Sequence, residues 1–201
     1  MSDWIKSTME QFSYAGIIFL MILENVFPPI PSELIMPLAG FISTQGQLAL
    51  PWVIVAGTAG SVLGALPLYY LGRRVGEDRL RRWAETRGHW IGLSPEDLDK
   101  SKRWFERHGG KTVLLCRVIP GVRSLISIPA GFAKMNVGVF LLYTTVGSAI
   151  WSGLLAAAGR ALGSNYEKVE HIIGPISTAI VIGIVLTLVV RAIRQSRRRR
   201  R

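Results

Sequence analysis

The sequence predicts an all-α integral membrane protein arranged as an inverted repeat, in which each unit is a re-entrant hairpin followed by one transmembrane helix. Three observations predict this fold: long uncharged apolar segments, apolar segments broken by proline, and an internal similarity at a spacing of 91 residues. Amphipathic surface helices and a C-terminal transmembrane helix complete a single membrane domain, residues 1–201.

Three uncharged apolar segments are long enough to cross a bilayer, which takes about 20 residues in a helix. Residues 51–72, 137–159 and 172–190 carry no Asp, Glu, Lys or Arg. The first two segments are the predicted transmembrane helices at the ends of the two repeat units. The third is the predicted C-terminal transmembrane helix.

Two further apolar segments are broken in a way that a straight helix does not tolerate. Four of the ten residues from 28 to 37 are proline, and proline removes a backbone donor and clashes with the preceding turn. Residues 111–132 contain Pro120, Gly121 and Pro129. Because irregular backbone lies at membrane depth only where protein or a wet cavity surrounds it, we expect two re-entrant hairpins.

The internal similarity places residues 29–72 on residues 120–163 without a gap, with 13 identical pairs in 44 positions. Repeat 1 then covers about 12–72 and repeat 2 about 111–163. A hairpin that returns and a helix that crosses put the second unit on the opposite side, which is the inverted plan of many transporters. The alternative is that two Gly/Ala-rich membrane segments resemble each other by composition alone.

Basic residues mark the side of the membrane on which the connecting segments lie. Net charge is +11, and the excess bases lie in the linker 73–110, which includes a predicted surface helix at 94–108, and in the tail 191–201. Bases beside membrane helices report cytoplasmic loops, so the C-terminus is predicted to be cytoplasmic. This placement argues against nucleic acid as a partner; a secondary role for the tail is contact with anionic lipid.

Four charged residues lie inside the predicted hairpins, where charge is costly. Glu24 and Glu33 belong to the first hairpin, and Arg117 and Arg123 to the second. An ionised group in hydrocarbon costs at least about 2.5–3.5 kcal/mol, so such groups face cavities and pair with one another. We expect the two acids and two bases to meet at the repeat interface; the alternative is that they snorkel to the headgroups.

This charge pattern predicts transport of an anionic lipid or solute. Arginine forks bind phosphate or carboxylate through parallel hydrogen bonds, which makes Arg117 and Arg123 the candidate substrate-binding residues. Burial favours a protonated carboxyl and a nearby arginine favours the carboxylate, so Glu24 and Glu33 are the candidate proton-linked acids. Protonation would release arginine for the substrate.

The segments LENVFPPIPSELIMPLAGF (23–41) and WFERHGGKTVLLCRVIPGVRSLISIPAGFAKMNVGVF (104–140) resemble the DedA family, also called SNARE-associated or VTT-domain proteins. The resemblance extends over roughly residues 10–190. It is closer to bacterial members implicated in recycling undecaprenyl phosphate. Pro31-Ser32-Glu33 stands where many members have Pro-Gly-Asp, so the acid is kept in a different turn.

The resemblance implies facing re-entrant loops and transport linked to the proton-motive force in a bacterial plasma membrane, with polyprenyl (undecaprenyl) phosphate as the substrate. It assigns the important acids to Glu24 and Glu33 and the arginines to Arg117 and Arg123. Because the family includes lipid scramblases, an uncoupled phospholipid scramblase is the alternative function. A membrane lipid phosphatase ranks third, since no intramembrane His with a nearby acid is visible.

Accessory candidates lie beside these four residues. Asn25 and Ser32 neighbour the two acids, and His108 either relays protons at the cavity mouth or caps a helix C-terminus, where a cation is favourable. No metal site and no cofactor are predicted, because the histidines have no partners at metal-ligand spacing. Tyr69 and Tyr70 are interpreted as anchors at the membrane interface.

Overall fold

The computed structural model describes residues 2–26, 32–86, 99, 103–105, 107–119 and 122–163, and within these ranges every regular element is helical. Among the described residues, six helices and one short 3-10 turn have defined bounds, and residues 99, 103–105 and 107–108 are also helical. The predicted C-terminal helix 172–190, the basic tail 191–201, the hairpin tips at 28–31 and 120–121, and most of the surface helix 94–108 lie outside the described residues.

The helices follow the predicted order of broken and continuous segments. Two of them contain a local break, at Ser13 (φ 50°) in α1 and at Gly76 (φ 68°) in α3. A 3-10 turn follows α2. The helices are α1 (Ser2–Val26), α2 (Ser32–Ile42), α3 (Leu50–Thr86), α4 (Gly110–Arg117), α5 (Ser127–Phe132) and α6 (Val137–Leu162).

Two helices are long and apolar enough to cross a membrane by length and composition: Leu50–Gly76 of α3 and Val137–Leu162 of α6. These are the two segments predicted at 51–72 and 137–159. Large apolar side chains stand exposed along them, with Trp52 62% and Leu142 60% accessible. Extensive apolar exposure of this kind indicates a surface that meets lipid or another apolar partner.

The helices between them are short. At 1.5 Å per residue, α2, α4 and α5 extend only about 16, 12 and 9 Å, against about 30 Å of hydrocarbon. Residues 14–26 of α1, after its break, extend about 20 Å. None of these pieces crosses a bilayer alone, as expected for segments interrupted by proline.

Each short helix packs on one of the two long ones. Helix α1 lies along α3, where Gly60 meets Ile18 and Met21 and a side chain on Gly64 would overlap Asn25. Helix α4 lies along α6, where Gly147 accommodates the Arg117 side chain. Helix α2 packs mainly against α6, and α5 against α3. The α2 and α5 packing therefore joins the first half of the chain to the second.

Glycine permits the closest of these crossings. A Cβ on Gly40 of α2 would overlap the Ala156 carbonyl of α6, and one on Gly159 would overlap the Pro37 carbonyl. The other half has a matching crossing of α5 on α3. There the glycines are Gly131, against the Tyr69 carbonyl, and Gly72, against the Ile128 carbonyl. Small residues allow membrane helices to approach backbone to backbone in this way.

We predict that Gly159→Ala lowers the free energy of unfolding by about 1–3 kcal/mol, the usual range for overpacking a close contact. The obstacle is the Pro37 backbone, which has no rotamer with which to move aside. Gly153→Ala in the same helix is the matched control, since its nearest neighbour, the Ile54 methyl, is 3.9 Å from the new Cβ. Thermal unfolding in detergent compares them, and equal midpoints would contradict the packing described here.

The interior is polar where the two halves meet, while the outside is apolar. Buried polar or charged side chains include Glu24, Arg117 and Arg123, together with a series of Ser and Thr residues from α2, α3 and α6. The interpretation of Tyr69 as an interface anchor is wrong. Its ring is fully buried, stacks on Phe140 at 4.6 Å, and its hydroxyl donates to the Met135 carbonyl; Tyr70 is the exposed one.

Candidate functional site

A buried ion pair joins residues 99 positions apart. Arg123 Nε donates to Glu24 Oε1 at 3.0 Å, and its Nη2 donates to Glu24 Oε2. The side chains are only 5% and 8% exposed. The two parallel bonds form the bidentate fork that arginine makes with a carboxylate. The first hairpin segment thus supplies the acid and the second supplies the base.

Local structure fixes the Glu24 side of this pair. Glu24 and Asn25 lie in the last turn of α1, where both are buried. Asn25 Nδ2 donates to the Met21 carbonyl at 2.9 Å, and the Asn25 side chain fills the space left by Gly64. The end of α1 is therefore held against α3, with Glu24 turned inward.

Arg117 ends helix α4 as the largest fully buried side chain in the described part of the protein, at 2% exposure. Its Nη2 donates to Ser127 Oγ at 2.9 Å, and the guanidinium carbon lies 5.9 Å from the Phe140 ring centroid. The Nε atom has no hydrogen-bond partner among the described residues. A donor of a permanently charged group is thus buried without an acceptor.

Glu24, Arg117 and Arg123 lie within electrostatic range of one another, and Glu33 lies within range of Glu24. Glu24 interacts with Arg123, Glu33 and Arg117, and Arg117 interacts also with Arg123. At short range in a medium of low dielectric constant, these interactions are much stronger than in water. Two acids and two bases in one region leave the centre close to neutral.

Glu33 occupies a different position from Glu24. It lies in the first turn of α2, is half-buried, and hydrogen-bonds to neither arginine within the described contacts. Instead Ser32 Oγ donates to Glu33 Oε2 at 3.4 Å, and Trp151 Nε1 of α6 donates to Ser32 Oγ, also at 3.4 Å. The second acid is thus linked to α6.

His108 stands apart from this centre. Its ring is exposed, stacks on Trp104 with centroids 4.2 Å apart, and places Nδ1 3.2 Å from the Trp104 carbonyl. Gly109 follows with φ 52° and ψ −133°, a backbone conformation that is readily open to glycine. His108 therefore contacts the preceding helical turn and none of the four charged candidates among the described residues.

Six buried polar side-chain atoms have no hydrogen-bond partner in the described part of the chain, and they come from both halves. An unsatisfied buried donor or acceptor costs about 1–3 kcal/mol, so a set of them calls for an explanation such as a ligand or bound water. They are Asn25 Oδ1, Ser61 Oγ, Thr112 Oγ1, Arg117 Nε, Thr144 Oγ1 and Ser152 Oγ.

The described residues are helical, include two apolar helices long enough to cross a membrane, and bury a centre of opposite charges. These features define a class: membrane proteins with a polar interior. The protein-family model of the VTT domain matches residues 6–161. The chain therefore belongs to the VTT-domain, or DedA, family of membrane proteins. The match includes all four charged candidates.

Curated relatives align over nearly the whole chain. Undecaprenyl phosphate transporter A of Staphylococcus aureus is 35% identical over 201 residues, covering 100% of this chain and 99% of that protein. Undecaprenyl phosphate transporter A of Bacillus subtilis is 32% identical over 178 residues, covering 89% and 86%. An "alkaline phosphatase-like protein" of Lactococcus lactis is 44% identical over 191 residues, covering 94% and 89%. No solved structure matches the chain.

Proposed function

We propose that this protein is a transporter that moves an anionic lipid phosphate, of the polyprenyl (undecaprenyl) phosphate class, across the bacterial plasma membrane in exchange for protons. The family membership supports a membrane transporter. The names of two relatives, at 35% and 32% identity, support the lipid phosphate. The charged centre supports the anionic substrate.

The observation that carries this proposal is the state of the two arginines. Arg123 is engaged by the Glu24 carboxylate through a fork that a phosphate would occupy in the same way. Arg117 keeps one buried donor, Nε, without an acceptor among the described residues. A phosphate has enough acceptor oxygens to use both groups at once. In the empty site, the Glu24 carboxylate then occupies the place on Arg123 that the substrate phosphate would take.

Competition between carboxylate and phosphate provides the link to protons. An unpaired buried arginine is costly, so Arg123 has a partner in both states: Glu24 when the site is empty, and phosphate when it is loaded. Protonating Glu24 removes its charge and leaves the fork to the substrate. Glu33, within range of Glu24, is the second proton-linked acid.

The packing of the helices supports an inverted repeat with alternating access. Each hairpin's first helix packs on its own long helix, α1 on α3 and α4 on α6, while each second helix packs on the other unit's long helix. At a spacing of 91 residues, Pro37 matches Ile128 and Gly40 matches Gly131. Pro37 and Gly40 contact Gly159 and Ala156 of α6, and Ile128 and Gly131 contact Gly72 and Tyr69 of α3. After the spacing of 91 is subtracted, the partners on α6 fall about one helical turn before the partners on α3. Such a displaced pseudo-symmetry gives two similar halves that can rock about a central site.

The test is transport of a polyprenyl phosphate analogue by the purified protein in liposomes with an imposed proton gradient. We expect net movement driven by the gradient and lost when an ionophore collapses it. Glu33→Gln is expected to keep passive exchange and lose the dependence on the gradient, because glutamine has the size of the acid but no titratable proton. Unchanged gradient-driven transport in this variant would refute the proton-linked role of Glu33.

The same assay separates the alternative functions. An uncoupled scramblase would equilibrate phospholipids between leaflets regardless of the gradient. A lipid phosphatase would release inorganic phosphate from the analogue; the Lactococcus relative is named an "alkaline phosphatase-like protein". Because the tail 191–201 is basic, we place the C-terminus on the cytoplasmic side. In right-side-out vesicles, a protease added outside is then expected to leave the tail uncut.

A further inference from the structure

A hydrogen-bond chain reaches Glu33 from the other half of the protein. Trp151 of α6 donates its indole N–H to Ser32 Oγ, and Ser32 donates to Glu33 Oε2, with both distances 3.4 Å. Ser32 is fully buried and Trp151 half-buried. The chain therefore runs from a membrane-length helix to the first turn of α2.

The chemistry of the three groups fixes the direction of this chain. An indole is a donor only, while a hydroxyl has one hydrogen and accepts through its lone pairs. Because Ser32 accepts from Trp151, its single hydrogen is free to point at Glu33. Glu33 Oε2 accepts that hydrogen, and a hydrogen bond to the charged form of an acid favours that form.

We propose that Trp151 is a positioning residue for Glu33: acting through Ser32, it holds the carboxylate form and makes α6 respond to protonation of this acid. The inference deepens the proposed function, since it takes Glu33 as a proton-linked acid. The membrane-length parts of α3 and α6 that pack here, 50–72 and 137–159, carry no charged residue. Glu24 is in electrostatic range of Glu33, and Arg123 and Arg117 interact in turn with Glu24.

The residues at the matching positions of the repeat cannot form the same hydrogen-bond chain. At a spacing of 91 residues, Trp151 matches Gly60, which packs directly against Ile18 and Met21 of α1. Ser32 matches Arg123, and Glu33 matches Ser124. The repeat is thus asymmetric at this acid, and among the described residues the hydrogen-bond chain connects Glu33 to α6.

Tryptophan emission gives a test that needs no transport. The other five tryptophans are replaced by phenylalanine, which leaves Trp151 as the single reporter in the full-length protein in detergent. Trp104 must be among those removed, because it stacks on His108 and its emission would report on that contact. We expect Trp151 emission to change with pH, and this change to vanish in Ser32→Ala and in Glu33→Gln.

A second readout is the pH profile of transport. Trp151→Phe keeps an aromatic ring but weakens the support of the carboxylate, and a hydrogen bond to the charged form favours that form. We expect the pH midpoint of transport to move up, because Ser32 loses the donor that orients its hydroxyl. Trp52→Phe, an exposed position, is the control.

The outcomes are distinct. An emission titration that persists in Ser32→Ala or Glu33→Gln would overturn the positioning role even if transport is confirmed. A titration that behaves as expected, in a protein that moves no lipid phosphate, would leave the role of Trp151 standing and reject the proposed substrate.

Discussion

Replacing Arg123 with glutamine is expected to destabilise the protein by about 3–5 kcal/mol, the cost of breaking a buried ion pair on one side only. The Glu24 carboxylate would remain buried without the fork that it accepts from Nε and Nη2. Glu24→Gln is expected to have a loss of the same order, because it leaves the guanidinium of Arg123 unpaired. Thermal or denaturant unfolding in detergent measures both.

The double variant Glu24→Gln/Arg123→Gln is the informative control. It removes both charges, and replacing a whole buried pair by neutral groups is often close to neutral in stability. We expect the double variant to recover most of the stability that either single variant loses, while transport is lost because Arg123 is a substrate-binding residue in the proposed function. Losses that simply add would mean that the two residues do not act as a pair.

Arg117→Lys is expected to weaken binding of a lipid phosphate by about 10- to 100-fold, the range for losing a hydrogen bond to a charged group. Lysine keeps the charge, but it is a point charge on a flexible stem and cannot donate from a planar fork. It also cannot reproduce both the Ser127 bond and the Nε donor. Binding of a polyprenyl phosphate to the purified protein measures the loss.

The matched control for this change is Arg160→Lys. Arg160 is exposed in the last turn of α6, so the same substitution there tests whether any loss of guanidinium affects binding. We expect unchanged affinity. Equal effects at positions 117 and 160 would indicate a general electrostatic attraction instead of a site.

The helical segments could be predicted because their signals are local. Uncharged runs predicted α3 and α6, and proline marked where short helices replace long ones. The continuation of α3 to Thr86 beyond Gly72 was missed, since residues 73–86 are polar and their helix carries no apolar signal of its own. The similarity at 91 residues predicted a repeat but not which helices pack together, because close approach depends on single carbonyls opposite Gly40, Gly131 and Gly159.

Parts of the site could be predicted for a related reason. Charge inside an apolar segment is rare enough to single out Glu24, Glu33, Arg117 and Arg123 without a structure. Which acid meets which base depends on tertiary packing, and so do the roles of neutral neighbours. Ser127 and Phe140, which contact Arg117, are residue types that are common in membrane helices. The same holds for Trp151, which donates to Ser32, so the sequence does not single these residues out. Tyr69 has the type of an interface anchor, but the crossing of α5 on α3 buries it.

The central claim is that the Glu24 carboxylate and a lipid phosphate compete for the same arginines. The most direct measurement compares the affinity for a polyprenyl phosphate in the unmodified protein and in Glu24→Gln across a pH series, because the titration of the phosphate itself cancels in the ratio. We predict that Glu24→Gln binds more tightly at high pH and that the two affinities converge as the pH falls and Glu24 becomes protonated. A ratio that stays constant at every pH would contradict the claim.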